Sequence, residues 1–298
     1  MEFTMWKTVI FLVLTLLLAP YLAYLFDQPP TEEQGRTIHL LAIICLSFIM
    51  VCFITSTLTQ NYSQVDKLWS IMPIIYSWVV AWQGNWELRL VIMASLVSVW
   101  GIRLTYNFYR RGGYHWKVWK GEEDYRWAVL RQKKEFQSPI RWMMFNLVFI
   151  SFYQMTLILL FTIPIVKSME GSDLNIWDVI LGILFLLFVV LETIADQQQW
   201  NFHKMKRKNP AASKGFLDKG LWSLVRHPNY ASEQGIWMVF YCFSINATGI
   251  WVNWSIIGCI LLILLFKGSS DFSEKISAEK YPGYKHFQET TPRFIPFT

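Results

Sequence analysis

Apolar segments of membrane-crossing length recur from one end of this chain to the other, and no other feature restricts its fold as strongly. A helix rises about 1.5 Å per residue, so about 20 apolar residues cross about 30 Å of hydrocarbon. The runs are Trp6 to Phe26, Ile38 to Thr59, Leu68 to Trp82, Leu88 to Tyr106, Trp142 to Val166, Ile176 to Ile194, Tyr230 to Phe243 and Ile250 to Phe266. The reading is an all-α integral membrane protein, a bundle of about eight transmembrane helices. Seven is the alternative, because the third and seventh runs are short. The first run ends in small residues as a signal peptide does, but it is too long and its n-region carries one lysine, so it is kept as a span.

Only 16% of the 298 residues are charged and 54% are apolar or aromatic, against about a quarter charged in soluble domains. That excludes a disordered, collagenous or disulfide-stapled chain. The net charge of +6 raises the question of nucleic acid, but the basic residues sort by loop. With the N-terminus inside, 24 of the 27 fall on the cytoplasmic side and only Arg36, Arg89 and Lys167 outside. This is the asymmetry that orients membrane helices, so no nucleic acid is needed. Cys45, Cys52, Cys242 and Cys259 all lie in apolar runs and read as core filler. The five histidines are scattered, so no metal is expected. The sequons at Asn61, Asn246 and Asn253 leave a bacterial inner membrane and the endoplasmic reticulum both open, and the reading favours the former. No internal repeat and no mirrored broken helices point to a transporter.

The polar, non-repetitive stretches face the cytoplasm. Asp66, in Asn61-Tyr-Ser-Gln-Val-Asp66, is either a cap for the third helix or a protonated acid able to donate to a carbonyl oxygen. Arg103, Tyr106 and Asn107 have the spacing of one helix face, although Arg103 alone would also suit snorkelling. The segment from Arg110 to Trp127 reads as interfacial, with Trp116, Trp119 and Trp127 at headgroup depth. Glu192, Asp196, Gln199, His203 and Lys206 form one stripe along a helix projecting from the membrane. Its first two members are expected to face a bundle interior or a wet cavity. The fullest motif is Arg226-His-Pro-Asn-Tyr230 with Glu233. Pro228 suits a helix start, the free helix N-terminus beside Arg226 and His227 suits an anion, and Asn229 and Glu233 lie one turn apart.

That motif, an apolar hairpin after it, and the ending Lys280-Tyr281-Pro-Gly-Tyr284 to Thr291-Pro-Arg-Phe-Ile-Pro296 together resemble the steroid 5α-reductase-like membrane proteins, closest to their mostly bacterial, largely uncharacterised branch. Sterol C14 reductases and isoprenylcysteine methyltransferases share the Arg-His-Pro-x-Tyr arrangement. The resemblance covers roughly Asn61 to Thr298, dividing the chain into residues 1–60, with the first two helices, and a catalytic membrane domain over 61–298.

The resemblance implies NADPH held in a cytoplasm-facing cavity and a lipid-accessible slot for an unsaturated ketone. Asn229 and Glu233 match residues at the nicotinamide end. Asp66 matches the acid that holds the substrate carbonyl, though it is shorter than the glutamate of steroid reductases. Tyr106 matches the accompanying tyrosine, with Trp100 competing for that place. Arg103, Asp196, Gln199, His203, Lys206, Arg226, His227, Tyr230 and Tyr281 complete the expected cofactor contacts. The expected activity is that of an NADPH-dependent oxidoreductase acting on CH-CH groups. It would deliver hydride to the β-carbon of a double bond conjugated with a carbonyl, in a steroid-like or other lipid, with Asp66, Tyr106 and Glu233 as catalytic residues. The alternatives are an S-adenosylmethionine-dependent lipid or isoprenylcysteine-type methyltransferase and a non-catalytic lipid-binding protein. Membrane lipids are the expected partners, and no oligomeric state is read.

Overall fold

A computed structural model describes residues 27–117, 121–209 and 214–296, with scattered positions ahead of residue 27. The expected first span, Trp6 to Phe26, falls largely outside these residues, as does Trp119. Among the described residues the chain is all helical, without a strand. Five helical stretches are long and apolar enough to cross a membrane: Glu32–Thr59, Leu88–Arg110, Pro139–Lys167, Ile176–Lys208 and Trp254–Lys280. This is the make-up of a multi-pass membrane protein.

Two of the expected spans differ from the sequence reading. The third apolar run folds as a 12-residue helix, Met72–Gln83, about 18 Å long and too short to cross hydrocarbon by itself. The preceding residues instead make the five-residue helix Gln64–Leu68. The seventh run lies within Pro228–Thr248, whose 21 residues suffice in length. That helix carries Asn229, Ser232, Glu233 and Gln234 in its first two turns, so its apolar character is diluted.

The chain divides into two compact units. In the first, residues 1–178 and 241–261, the Glu32–Thr59 helix opens on a capping box formed by Thr31 and Gln34. Such reciprocal bonds satisfy amides that a helix start leaves open. Met72–Gln83 and Leu88–Arg110 pack side by side around the turn at residues 84–87. Asn85 and Trp86 take positive φ there, 51° and 61°. Gly101 lets the second of these helices approach the backbone of Ser70, where an added Cβ would stand 2.6 Å from the carbonyl oxygen. The long Pro139–Lys167 stretch passes through a π-helical segment, Asn146–Tyr153, and there Asn146 donates to Ser56 Oγ at 2.9 Å.

The three basic residues that charge sorting leaves over each face a carboxylate in this unit. Arg36 lies 3.7 Å from Glu32, Arg89 2.8 Å from Asp178 and Lys167 2.8 Å from Asp27. None of the three sequons presents an open amide. Asn61 Nδ2 donates to Gly121 O, Asn253 Nδ2 donates to Ser244 Oγ, and Asn246 Nδ2 is buried.

In the second unit, residues 179–240 and 262–298, Ile176–Lys208 runs unbroken for 33 residues. It packs on Pro228–Thr248, with Phe185 against Phe240 at 6.3 Å between ring centroids. One turn along, Gly235 admits the ring of Phe188, which would stand 2.6 Å from an added Cβ. Continuing this antiparallel register brings Glu192 and Asp196 level with the turn that starts at Pro228. Trp222 Nε1 donates to Ala195 O at 3.1 Å and fixes the connecting loop to the same place.

Candidate functional site

The first unit holds Asp66 in the first turn of the Gln64–Leu68 helix. Ser63 is the residue ahead of that helix, but its hydroxyl does not cap it. Ser63 Oγ instead accepts from the amide of Asp124 at 2.9 Å, and Tyr62 N donates to Glu123 Oε1 at 2.6 Å. The segment at 121–124 is thereby stitched over the turn at 61–63. Arg126 grips Asp124 with Nε and Nη2, at 2.9 and 2.8 Å. Asp66 Oδ2 is buried without a hydrogen-bond partner among the described residues. Burial, and then the neighbouring Asp124, push the Asp66 carboxyl above the usual range, with Arg126, the Ser63 hydroxyl and the Trp127 indole partly offsetting this. Burial acts on Asp124 in the same sense, but Arg126 outweighs it and holds that carboxyl low. Two acids side by side are thus driven apart, one towards a protonated donor and one towards a permanent anion.

The expected face of Arg103, Tyr106 and Asn107 narrows. Asn107 is buried, whereas Tyr106 is 62% exposed, its ring 6.0 Å from the Arg110 guanidinium. The reason is angular: a step of four residues returns to within about 40° of the starting direction, but a step of three falls about 60° short of it. Trp100, its competitor, is fully buried. Of the expected interfacial tryptophans, Trp116 is exposed but Trp127 turns inward.

In the second unit the Pro228–Thr248 helix starts at Pro228, as its missing N–H allows. Glu233, 4% exposed, accepts from Trp237 Nε1 at 3.1 Å. One turn earlier, Asn229 Oδ1 is buried with no hydrogen-bond partner among the described residues. Tyr230 stacks on His227, with 5.4 Å between ring centroids, and meets Phe266 at 4.7 Å.

Arg226 and His227 are not open anion hooks. Arg226 Nε donates to Glu274 Oε1 at 2.8 Å, and Nη2 to Oε2 at 3.3 Å. Its Nη1 reaches the carbonyls of Gln288 and Thr291. His227 Nε2 lies 2.8 Å from Glu274 Oε1, and Gln288 Nε2 donates to Oε2 at 2.9 Å. The amides of Arg226 and His227 donate to Pro292 O and Arg293 O at 2.8 and 3.1 Å. The motif and the C-terminal tail thus form one clamp around Glu274. Sequence reading missed Glu274, whose only signal is a carboxylate near the end of an apolar helix.

Along the Ile176–Lys208 stripe, Glu192 and Asp196 are buried, Gln199 is half-buried and His203 is exposed. Lys206 is committed, donating to Gly215 O at 2.8 Å and to Tyr281 Oη at 2.7 Å. Gly215 sits at φ +94° directly against the Tyr281 ring, so this stitch requires glycine. Burial raises the Tyr281 phenol, but Lys206 more than offsets it. Lys204, Arg207 and Lys208 at the helix end stay exposed. Among the described residues, no three His, Cys, Asp or Glu side chains gather as metal ligands would.

Residues 52–291 match a family model described as a protein of unknown function (DUF1295), and the chain belongs to that family. It is 36% identical over 278 residues to the Schizosaccharomyces pombe uncharacterized protein C594.04c, covering 85% of this chain and 78% of that protein. No solved structure matches.

Proposed function

We infer that this DUF1295 family member is an NADPH-dependent reductase of a carbon-carbon double bond conjugated to a carbonyl in a membrane lipid. The reading includes a steroid 5α-reductase-like membrane bundle with the catalytic side facing the cytoplasm. The observation that carries it is Asn229 Oδ1, a buried acceptor without a partner, one turn before the buried Glu233. Such an oxygen needs an explanation. An amide N–H of a nicotinamide carboxamide supplies one, at the position where the resemblance expects that ring.

NADPH, when bound, supplies the hydride. Asn229 and Glu233 orient the nicotinamide end, the first as acceptor and the second from its bond with Trp237. The 2′-phosphate falls to Lys204, Arg207 and Lys208, because Arg226 and Lys206 are already used inside the fold. Asp66 keeps a proton on a buried carboxyl and lends it as a hydrogen bond to the carbonyl oxygen, where negative charge accumulates in the transition state. Its unpartnered Oδ2 supports that role. Tyr106, exposed on its helix, is the weaker half of the expected pair.

The test is a thermal-shift series on the purified full chain with NADPH, NADH and S-adenosylmethionine. A ligand at about 100 times its Kd stabilises by roughly 2.7 kcal/mol. A shift with NADPH that exceeds the shift with NADH is expected. A shift with S-adenosylmethionine alone would replace the reductase with a methyltransferase.

A further inference from the structure

A cleft of about 290 Å³ opens in the first unit, walled by Tyr62, Glu123, Trp127, Arg131, Gln132 and Trp142 among others. It lies where one span-length helix, Glu32–Thr59, has just ended and another, Pro139–Lys167, begins. Tyr62 and Trp142 meet edge to face at 5.0 Å, so the two helix ends touch. The cleft therefore sits at the depth where hydrocarbon gives way to headgroups, the usual level of amphipathic aromatic rings.

Two of the residues that wall it carry donors that are not used up. Trp142 is 3% exposed, and its Nε1 is buried with no hydrogen-bond partner among the described residues. An indole nitrogen can only donate, and such buried donors are seldom left without an acceptor. Arg131 spans the rings of Tyr62 and Trp142, its guanidinium carbon 5.2 and 5.4 Å from their centroids. It gives one hydrogen bond among the described residues, to Gln60 Oε1 at 2.8 Å. Trp127 also lines the cleft, and its indole neighbours the Asp66 carboxyl.

We propose that this cleft binds the phosphodiester of a phospholipid headgroup. A guanidinium fork matches two phosphate oxygens, the Trp142 N–H takes a third, and the aromatic faces cover the glycerol carbons. A cationic headgroup is disfavoured, because Arg131 already occupies the faces of both rings. The Glu123 carboxylate on the wall accepts the Tyr62 amide at 2.6 Å. Its charge tolerates a monoanionic diester better than a dianionic free phosphate. Asp66 does not line this cleft, and the inference does not rest on the reductase reading.

Native mass spectrometry of the full chain in detergent tests it, with phosphatidylglycerol, diacylglycerol and inorganic phosphate as probes. Phosphatidylglycerol is expected to stay bound, with diacylglycerol and inorganic phosphate each at least about tenfold weaker. Arg131→Gln should weaken phosphatidylglycerol about tenfold and Trp142→Phe about threefold, the scale of a charge-assisted and a neutral hydrogen bond. Lys134→Gln, which removes an exposed charge nearby, should leave binding unchanged. Arg131 is exposed, so its variant keeps the fold. Wild-type affinity in both cleft variants, or an equal loss in Lys134→Gln, would overturn the site. Inorganic phosphate binding as tightly as the lipid would overturn the headgroup.

Discussion

Arg226 and Glu274 form a buried ion pair, Nε to Oε1 at 2.8 Å, with side chains 9% and 2% exposed. The same carboxylate meets His227, Gln288 and Arg293. A charge so enclosed is stable only while its partner remains, and removing one member of a buried pair costs about 3 to 5 kcal/mol.

Glu274→Gln should therefore lower the apparent Tm sharply and loosen the C-terminal tail, whose carbonyls at 288, 291, 292 and 293 are held by Arg226 and His227. Limited proteolysis followed by mass spectrometry reads this directly. Cleavage after residue 288 should appear in the variant well before the helical core is cut.

Asp66 sets a pH dependence of opposite kind to an ordinary ion-paired acid. Its carboxyl is raised in the fold, while in the unfolded chain it ionises near about 3.9. Folded protein thus holds the proton more tightly. The stability this contributes is full below the unfolded value and is lost as pH rises towards the raised folded value. Asp66→Asn removes the ionisation, so the variant should gain in apparent Tm over wild type as pH rises from about 4. A gap that is flat with pH would show that the Asp66 carboxyl is not raised.

The proposed chemistry separates Asp66 from Glu233. Asp66→Ala should slow reduction about 10² to 10³-fold while NADPH still binds, the loss seen when one donor to a developing oxyanion is removed. Glu233→Gln should weaken NADPH binding and leave lipid affinity, measured without cofactor, intact. Equilibrium binding and single-turnover rates on both variants distinguish these outcomes. Loss of NADPH binding in Asp66→Ala would return Asp66 to a structural role.

Topology is open to direct labelling. Lys134, Ser172 and Lys214 are exposed, and single cysteines at these positions should react from the inside, outside and inside respectively. Cys45, Cys52 and Cys259 are buried and Cys242 is half-buried, which keeps the background low. Outside labelling at Lys214 would end the proposed orientation.

Helix existence was readable because it is local: a long apolar run announces a membrane helix, and Pro228 starts one wherever the surrounding chain allows. Spacing indicated that the helix from Ile176 continues beyond its apolar run, and the cost of a carboxylate in hydrocarbon indicated the burial of Glu192 and Asp196. Side-chain partners were not readable, because they depend on residues that only folding brings together. Arg226 and Glu274 lie 48 residues apart, so a motif that reads as an anion site along the chain becomes a tail clamp in the fold. Tyr106 and Asn107 look equivalent in sequence, yet packing buries one and leaves the other exposed. Asp66 reads in sequence as either a cap or a protonated acid, and the loss of water on burial beside Asp124, which no neighbour in sequence supplies, is what pushes its carboxyl towards a protonated donor.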